Sequence, residues 1–471
     1  MIVVVGGGIA GVSCVETLLA ETNGSVPIAL ITNSSIVKVA SNVIKSGINL
    51  ESFEVKEQQK TFLEHHQNLR VVVDYAVSVD SDNHEVILKN GEPIKYTKLC
   101  ICTGGRPNLI ATNTDKVLGI RDTETVEQFE QKLKEAKRIA IVGNGGIALE
   151  LVYTIEHCEV VWIIKDKSIG TPFFQCDAAQ FLMPSIAQKP QENAPVHRLK
   201  YIAINEQRNK EGFGSALGPD WKINLSAKGK FIERKNIIVE FECEVNSINE
   251  SDSIPNEKIS KSEFDKWPVF VELTNNKLYG CDFVVSATGV IPNVLPLSGT
   301  KSFKLASDGG IEVNEEMLTS EINVYAAGDV CTASWRTSRN WFQMRLWTQA
   351  RQMGIYAAFC MLSHLRNESP QVYFPFDVFT HITRFFDYKV VLLGCFNGQN
   401  LEHEYEILLR ITEGKEYVKV VVSDNKVQGA ILIGETDLEE TFENLIVNQL
   451  DISTIKDNLL ESNIDIEDYF D

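Results

Sequence analysis

The chain has 471 residues, of which 44% are apolar, and carries a formal net charge of −19 at pH 7. That is enough chain for roughly two to four domains with buried cores, and the acidic balance excludes nucleic-acid or anionic-membrane binding through the surface at large. No apolar run reaches the roughly 18 residues of a membrane-spanning helix, and the apolar start lacks the basic flank of a secretory signal and carries Glu16.

The first strand is expected at Ile2–Val5, a run of β-branched residues. It enters Gly6-Gly7-Gly8-Ile9-Ala10-Gly11, and residues 12–19 leave that turn with a helix pattern. A strand, a Gly-x-Gly-x-x-Gly turn and a helix in that order cradle a dinucleotide pyrophosphate. Gly6 permits the turn, Gly8 lets the backbone approach a phosphate, and Gly11 lets the helix pack on the strand. The first helical N–H groups then face the negative charge. Taken alone, the motif also fits a tight strand–helix turn with no nucleotide. Residues 26–32 read as the second strand, ending at Thr32 and Asn33 without the carboxylate that grips a ribose in many such units. Thr32 or Asn33 is therefore expected to cover the adenosine ribose with a hydroxyl or an amide, a weaker acceptor than a charge.

Residues 34–70 read as polar and helical in part, and hold Lys38 and Lys45. Residues 69–79, 84–89 and 96–102 read as strands. The last closes in Cys102-Thr103-Gly104-Gly105-Arg106-Pro107, a reversal suited to backbone passing close to a ligand. Residues 124–137 are an amphipathic helix with Val126, Phe129 and Leu133 on one face. Arg138–Val142 then repeats the opening pattern: a strand, the turn Gly143-Asn144-Gly145-Gly146-Ile147, Ala148 in place of a third glycine, and Glu150 in the helix. The strand at 159–164 ends in Ile164-Lys165-Asp166, where a lysine is compatible with a 2′-phosphate and hence with NADPH.

Residues 176–262 break the pattern and read as an insertion. Within it, residues 189–235 hold ten Lys/Arg against five Asp/Glu, and 212–221 are rich in turns. The insertion is either a solvated loop or a docking surface. Order resumes at 267–273 and at 280–293, a strand ending in Thr288-Gly289 that echoes Thr103-Gly104. Tyr325-Ala326-Ala327-Gly328-Asp329 follows, then a long helix over 344–362. From about residue 371 the chain alternates strands with a helix at 437–449, and it ends in an acidic, aromatic stretch, 463–471, that is either a frayed tail or a partner-binding strip. The ten cysteines form no Cys-x-x-Cys pair and show no metal spacing. Buried thiols in a reducing compartment are preferred over a disulfide framework.

Two glycine turns 137 residues apart, each beside a Thr-Gly strand end and followed by Tyr-Ala-Ala-Gly-Asp, resemble the two-dinucleotide-domain flavoproteins, the pyridine nucleotide-disulfide oxidoreductases. The resemblance implies an α/β fold: two Rossmann-like, glutathione-reductase-like domains and an α+β C-terminal domain. It divides the chain into residues 1–122 and 281–368 for FAD, 123–280 for NADH or NADPH with the 176–262 insertion, and 369–471 for the last domain. It implies FAD contacts at Gly6, Gly8, Ile9, Ala10, Gly11, Thr32, Asn33, Ala76, Thr103, Gly104, Arg106, Gly328 and Asp329. It places Gly143, Gly145, Gly146, Ile147, Glu150, Lys165 and Gly289 on the nicotinamide side, with Gln349 completing the cofactor-binding set. Closer likeness over 117–123, 143–150, 214–221, 344–353 and 464–471 is to a group of animal members. It implies redox protection of a tRNA ligase complex, in nucleus and cytoplasm, by a monomer or homodimer.

One departure bears on the chemistry. Disulfide reductases of this family carry redox cysteines after the second strand, where this chain reads Val39-Ala40-Ser41-Asn42-Val43-Ile44-Lys45, and none of its eight histidines precedes a proline. Reduction of a disulfide through that site is therefore not expected. What remains is hydride transfer from NAD(P)H to flavin N5, with Lys38 and Lys45 as candidates to stabilise the reduced anionic ring. The acceptor is oxygen, a quinone or another small molecule. The alternatives are a nucleotide-dependent binding protein that shields a partner, and a catalytically dead scaffold.

Overall fold

The computed structural model describes residues 1–187, 196–203, 236–250, 267–335, 337–370, 376–402 and 404–461. The turn-rich 212–221 and the acidic end 463–471 lie outside the described residues, as does most of the basic stretch 189–235. The β-branched runs build two five-stranded parallel sheets. The first has the order Val324–Ala326, Lys98–Ile101, Ile2–Val5, Ile28–Thr32, Leu69–Val73. The second has the order Val117–Gly119, Phe283–Ser286, Arg138–Val142, Glu159–Ile163, Asn236–Glu240. The inner strands are buried on both faces, as parallel strands require. Helix α1 (Ile9–Thr22) follows the first glycine turn and packs against a long later helix. Helix α2 (Thr123–Leu133) starts on an Asp122–Thr125 capping box, and α3 (Gly146–Thr154) follows the second turn.

The third layer is a six-stranded antiparallel sheet, Val196–Ala203, Tyr405–Thr412, Glu416–Ser423, Lys426–Ile433, Tyr388–Gly394 and Thr380–Phe385 in spatial order. One hydrophobic core, including Leu149, Trp162, Phe385 and Ile431, runs unbroken between it and the second parallel sheet. The first sheet has a core of its own.

Four expectations change. Residues 34–70 are not helical: Ile36–Lys45 and Glu51–Gln59 pair as an antiparallel hairpin. Val37 and Val39 are buried while their neighbours are half-buried, a period of two that the charged outer face disguised. The 69–79 run is two strands. It breaks at Asp74-Tyr75, and Ala76–Asp80 joins a separate three-stranded sheet. Within the supposed insertion, α4 (Cys176–Ala187) packs into the shared core, Asn236–Glu240 is the fifth strand of the second sheet, and Val245–Glu250 pairs with Val269–Leu273. Finally, strand pairing puts Val117–Gly119 and Phe283–Ser286 in the second sheet, although the boundaries at 122 and 281 gave them to the first domain. In each case pairing or packing between segments decides what the local pattern left open.

Candidate functional site

The carboxyl ends of all five strands of the first sheet open into one cleft of about 550 Å³. Gly6 to Ala10, Thr32 and Asn33, Ala76, Thr103 to Arg106, and Asp329 line it, one group per strand end. The volume suits a cofactor-sized ligand at the crevice where parallel sheets place one. Gly6 has φ +125°, and a Cβ there would sit 2.1 Å from the Cys102 carbonyl oxygen. Gly11 serves packing: its Cβ would sit 1.9 Å from the Gly6 oxygen. Gly328 also packs, against Ala10, and does not itself line the cleft.

The donor set fits a pyrophosphate. Helix α1 starts on Gly8 with no side-chain cap and no acidic residue in its first turn, so its leading N–H groups are free for an anion. Arg121, on the connection into α2, donates from Nη2 to Asp329 Oδ2 at 3.0 Å, while its Nη1 is buried without a hydrogen-bond partner. An orphaned guanidinium donor beside an anion cradle is what a phosphate or ribityl oxygen would satisfy. Arg345 holds Asp329 from behind: Nε donates to the Asp329 carbonyl at 2.9 Å and Nη2 to Asp308 Oδ2 at 2.8 Å. Sequence reading missed both arginines. Their signal was present, since each lies in a stretch singled out for resemblance, but only the fold shows that they converge on Asp329.

Other expected residues sort by what their side chains touch. The Thr32 hydroxyl donates to Ser34 O at 3.1 Å and packs under Gly7, and Thr32 is 2% exposed; exposed Asn33 is the residue left to meet a ribose. The Thr103 hydroxyl donates to Asn293 O at 2.6 Å, so it locks two crossing segments and its backbone faces the cleft. Gln349 does not reach the cleft. Its amide bonds Met344 N at 2.7 Å and Phe342 O at 2.9 Å, whereas Trp347 and Ala350, on the same helix α5 (Trp347–Leu365), do line it.

The two lysines separate. Lys38 lines the cleft, its N–H donating to Gly7 O at 2.9 Å and its side chain 20% exposed with Nζ 4.0 Å from Glu57. Burial holds its ammonium below the usual lysine range, against the opposing pull of Glu57. Lys45 is exposed at the other end of the same strand and lines no part of the cleft. Seven residues of strand separate the two, at most about 23 Å when fully extended, and with no place in the cleft Lys45 is withdrawn as a second catalytic lysine.

The second unit repeats the first in outline. Gly143 has φ +133°, and its Cβ would meet the Ala287 oxygen at 2.1 Å, as Gly6 meets Cys102. Gly145 caps α3 without a side-chain bond. Gly143, exposed Lys165 and Gly289 follow three adjacent strand ends, with Gly145, Gly146, Ile147 and buried Glu150 on α3 or at its start. The Asn144 amide donates to Asp166 Oδ2 at 2.7 Å, to Ser168 O at 2.9 Å and to Thr171 Oγ1 at 2.9 Å, and accepts from Gly170 N at 2.6 Å. Phe385 of the C-terminal sheet lies 3.5 Å from where a Cβ on Gly146 would be.

Two parallel-sheet units with matching glycine turns, bridged by an antiparallel ribbon of Gly105–Pro107 on Val290–Pro292, define a protein with two dinucleotide-binding domains. The family model described as pyridine nucleotide-disulphide oxidoreductase matches residues 1–189 and 223–354, and one described as rubredoxin NAD+ reductase C-terminal domain matches 381–450. The chain belongs to the pyridine nucleotide-disulphide oxidoreductase family, whose cofactors are FAD and NADH or NADPH. It is 48% identical to pyridine nucleotide-disulfide oxidoreductase domain-containing protein 1 of Homo sapiens, over 100% of this chain and 97% of that one. It is 38% identical to the protein of the same name in Dictyostelium discoideum, over 100% and 99%. Among solved structures, the covalent putidaredoxin reductase–putidaredoxin complex aligns with a TM-score of 0.65 at 16% identity, covering 96% of this chain and 93% of that one. A water-forming NADH oxidase from Lactobacillus brevis aligns at 0.62 and 16%, covering 96% and 92%.

Proposed function

We propose that this chain is an FAD-dependent NAD(P)H oxidoreductase whose acceptor is not a disulfide. The observation that carries the reading is what stands at the inner wall of the cleft: Lys38, on a hairpin with no cysteine. Among the described residues, the one cysteine lining the cleft is Cys102, which is buried. Hydrogen bonding to Cys100 and burial push its thiol well above the usual range, so it offers no thiolate to attack a disulfide.

Gly6 to Gly8, the start of α1, Arg121 and Asp329 would hold the pyrophosphate and ribityl chain, Asn33 and Ala76 the adenosine end, and Lys38, Val55 and Trp347 the ring end. FAD, when bound, supplies the two-electron chemistry, accepting hydride from NAD(P)H and returning the electrons to oxygen, a quinone or another small acceptor. Lys38 places a cation beside the charge that reduction creates. The second turn, with Glu150 and Lys165, would hold the NAD(P)H. Mixing the FAD-loaded protein with NADH and with NADPH in the absence of oxygen tests the reading. Bleaching of the flavin is expected with at least one of them, and a flavin that never bleaches would sink it.

The finer assignment, redox protection of a tRNA ligase complex in nucleus and cytoplasm, rests on the likeness of the 214–221 and 464–471 stretches to animal members of the family. The same likeness favours a second reading, in which the protein shields its partner in a nucleotide-dependent way with little turnover. A pull-down with and without NAD(P)H, comparing the full chain with a truncation after Leu460, separates them. Equal capture in every arm counts against a nucleotide-dependent partner.

A further inference from the structure

Hairpin 36–59 is anchored at both ends to different domains. At the cleft, the Lys38 N–H bonds the first glycine turn. Further along, Glu51 pairs with Arg351 of α5 at 2.7 Å, and the Arg351 guanidinium lies over the Phe53 ring. At the tip, residues 46–50 close around a carboxylate that comes from the other end of the chain. Glu443, on the C-terminal helix α6 (Glu439–Asn448), is fully buried. It accepts the Ile48 N–H at Oε2 (2.9 Å) and the Asn49 N–H at Oε1 (2.6 Å). Thr380 Oγ1 of the C-terminal sheet donates to Asn49 O at 3.1 Å. A Cβ on Gly47 would lie 1.7 Å from Glu443 Oε2, so any side chain there would push the carboxylate out of its present position.

We propose that Glu443 is a positioning residue: by gripping the tip of the hairpin from the C-terminal domain, it fixes Lys38 in the flavin cleft. A carboxylate taking two backbone N–H bonds is a strong and directional anchor. The strand between Lys38 and the tip carries a β-bulge at Ser41–Ile44, where strands bend most readily. With the tip held, that bend has one setting; with the tip released, the cleft end of the strand follows it. The C-terminal domain thereby takes part in placing a charge near the reacting ring, although none of its described residues lines the cleft.

This inference rests on the reading that Lys38 faces bound FAD. The test uses the full-length, FAD-loaded protein and two independent ways of opening the latch. Glu443→Ala removes the carboxylate. Gly47→Ala pushes it aside while leaving the buried core of the C-terminal domain intact. Each is combined with Lys38→Met. Both single variants are expected to shift the visible spectrum of the flavin and to slow its anaerobic reduction by NAD(P)H roughly tenfold, with FAD content unchanged. Together they should do no more than either alone, and in the Lys38→Met background each should change the rate less than about twofold. A full-sized effect of Gly47→Ala in the Lys38→Met background would overturn the proposal, as would reduction at the parent rate in both latch variants while Lys38→Met slows it. If Lys38→Met itself leaves spectrum and rate unaltered, the placement of Lys38 at the flavin fails, and the role of Glu443 falls with it.

Discussion

The two glycine turns are built on one plan and finished differently. In both, the first glycine has a positive φ and presses on the carbonyl before a Thr-Gly pair, and the helix cap makes no side-chain bond. At the third position the first turn has no room for a methyl group, while the second holds Ala148, fully buried. The first turn opens on a cleft of about 550 Å³; the second is braced by the Asn144 network and flanked by Phe385. A tightly apposed helix brings its N-terminus close to the strand end, where a pyrophosphate would meet it. On the proposed function, the first of these turns would hold FAD and the second NAD(P)H. One strand serves both units. Thr380–Phe385 sets Thr380 on the hairpin tip, His381 against Trp347 of the first cleft at 4.8 Å, and Phe385 over the second turn.

The largest test of that contrast is an exchange at the third position. Gly11→Ala is expected to cost on the order of 3 kcal/mol, because the new methyl group would overlap the Gly6 carbonyl, and to give a colourless, FAD-free preparation. Ala148→Gly should cost about 1 kcal/mol or less and leave the protein yellow. A yellow Gly11→Ala protein with parent stability would erase the distinction between the two turns. Next in size is Asn144→Ala, which strands the Gly170 N–H and takes one hydrogen bond each from Asp166, Ser168 and Thr171, the last still bonded to Asp166. It is expected to destabilise the chain by about 2 kcal/mol and to weaken NAD(P)H binding while FAD content stays unchanged. Calorimetry and a nucleotide titration check this.

The third concerns the shared strand. His381 is 1% exposed, lies 3.1 Å from Thr348 Oγ1, and burial lowers its pKa from 6.5 to about 3. The folded state therefore holds a neutral imidazole, while the unfolded chain takes up a proton as pH falls through 6.5. Stability from this group is complete above pH 6.5 and is lost below it, by about 1.4 kcal/mol per pH unit, until the folded pKa is reached. His381→Asn should flatten the stability–pH curve in that window; an unchanged slope would assign the acid sensitivity elsewhere. Smallest is Asn33→Ala, expected to raise the dissociation constant of FAD about threefold, through one neutral hydrogen bond worth under about 1 kcal/mol. An unchanged constant would mean that the ribose is met by other segments.

Much of this was legible in advance because it is local. A β-branched run followed by glycines at fixed spacing announces each nucleotide turn, and Thr103-Gly104, Thr288-Gly289 and Gly328-Asp329 mark strand ends wherever they fall. The hairpin was misread because its outer face is charged, so its strand periodicity resembled a polar helix. Lys38 and Lys45 looked equivalent as long as the segment was taken as a helix, and only the extended strand separates them. Gln349 came with the family resemblance, but its side chain turns back to brace residues 342–344.

The sequence alone determined the class of fold, the two glycine turns and the absence of a cysteine after the second strand. These rest on residue type and short spacing, which act within a turn or two of chain. Tertiary structure alone decided that Arg121 and Arg345 meet at Asp329, that Asn236–Glu240 completes the second sheet, and that Glu443 grips a loop 395 residues earlier. Such contacts form between groups whose separation along the chain leaves no local pattern. They appear only when burial of the two cores brings the strand ends and helix termini together, and an unpaired charge or N–H at those junctions would be costly.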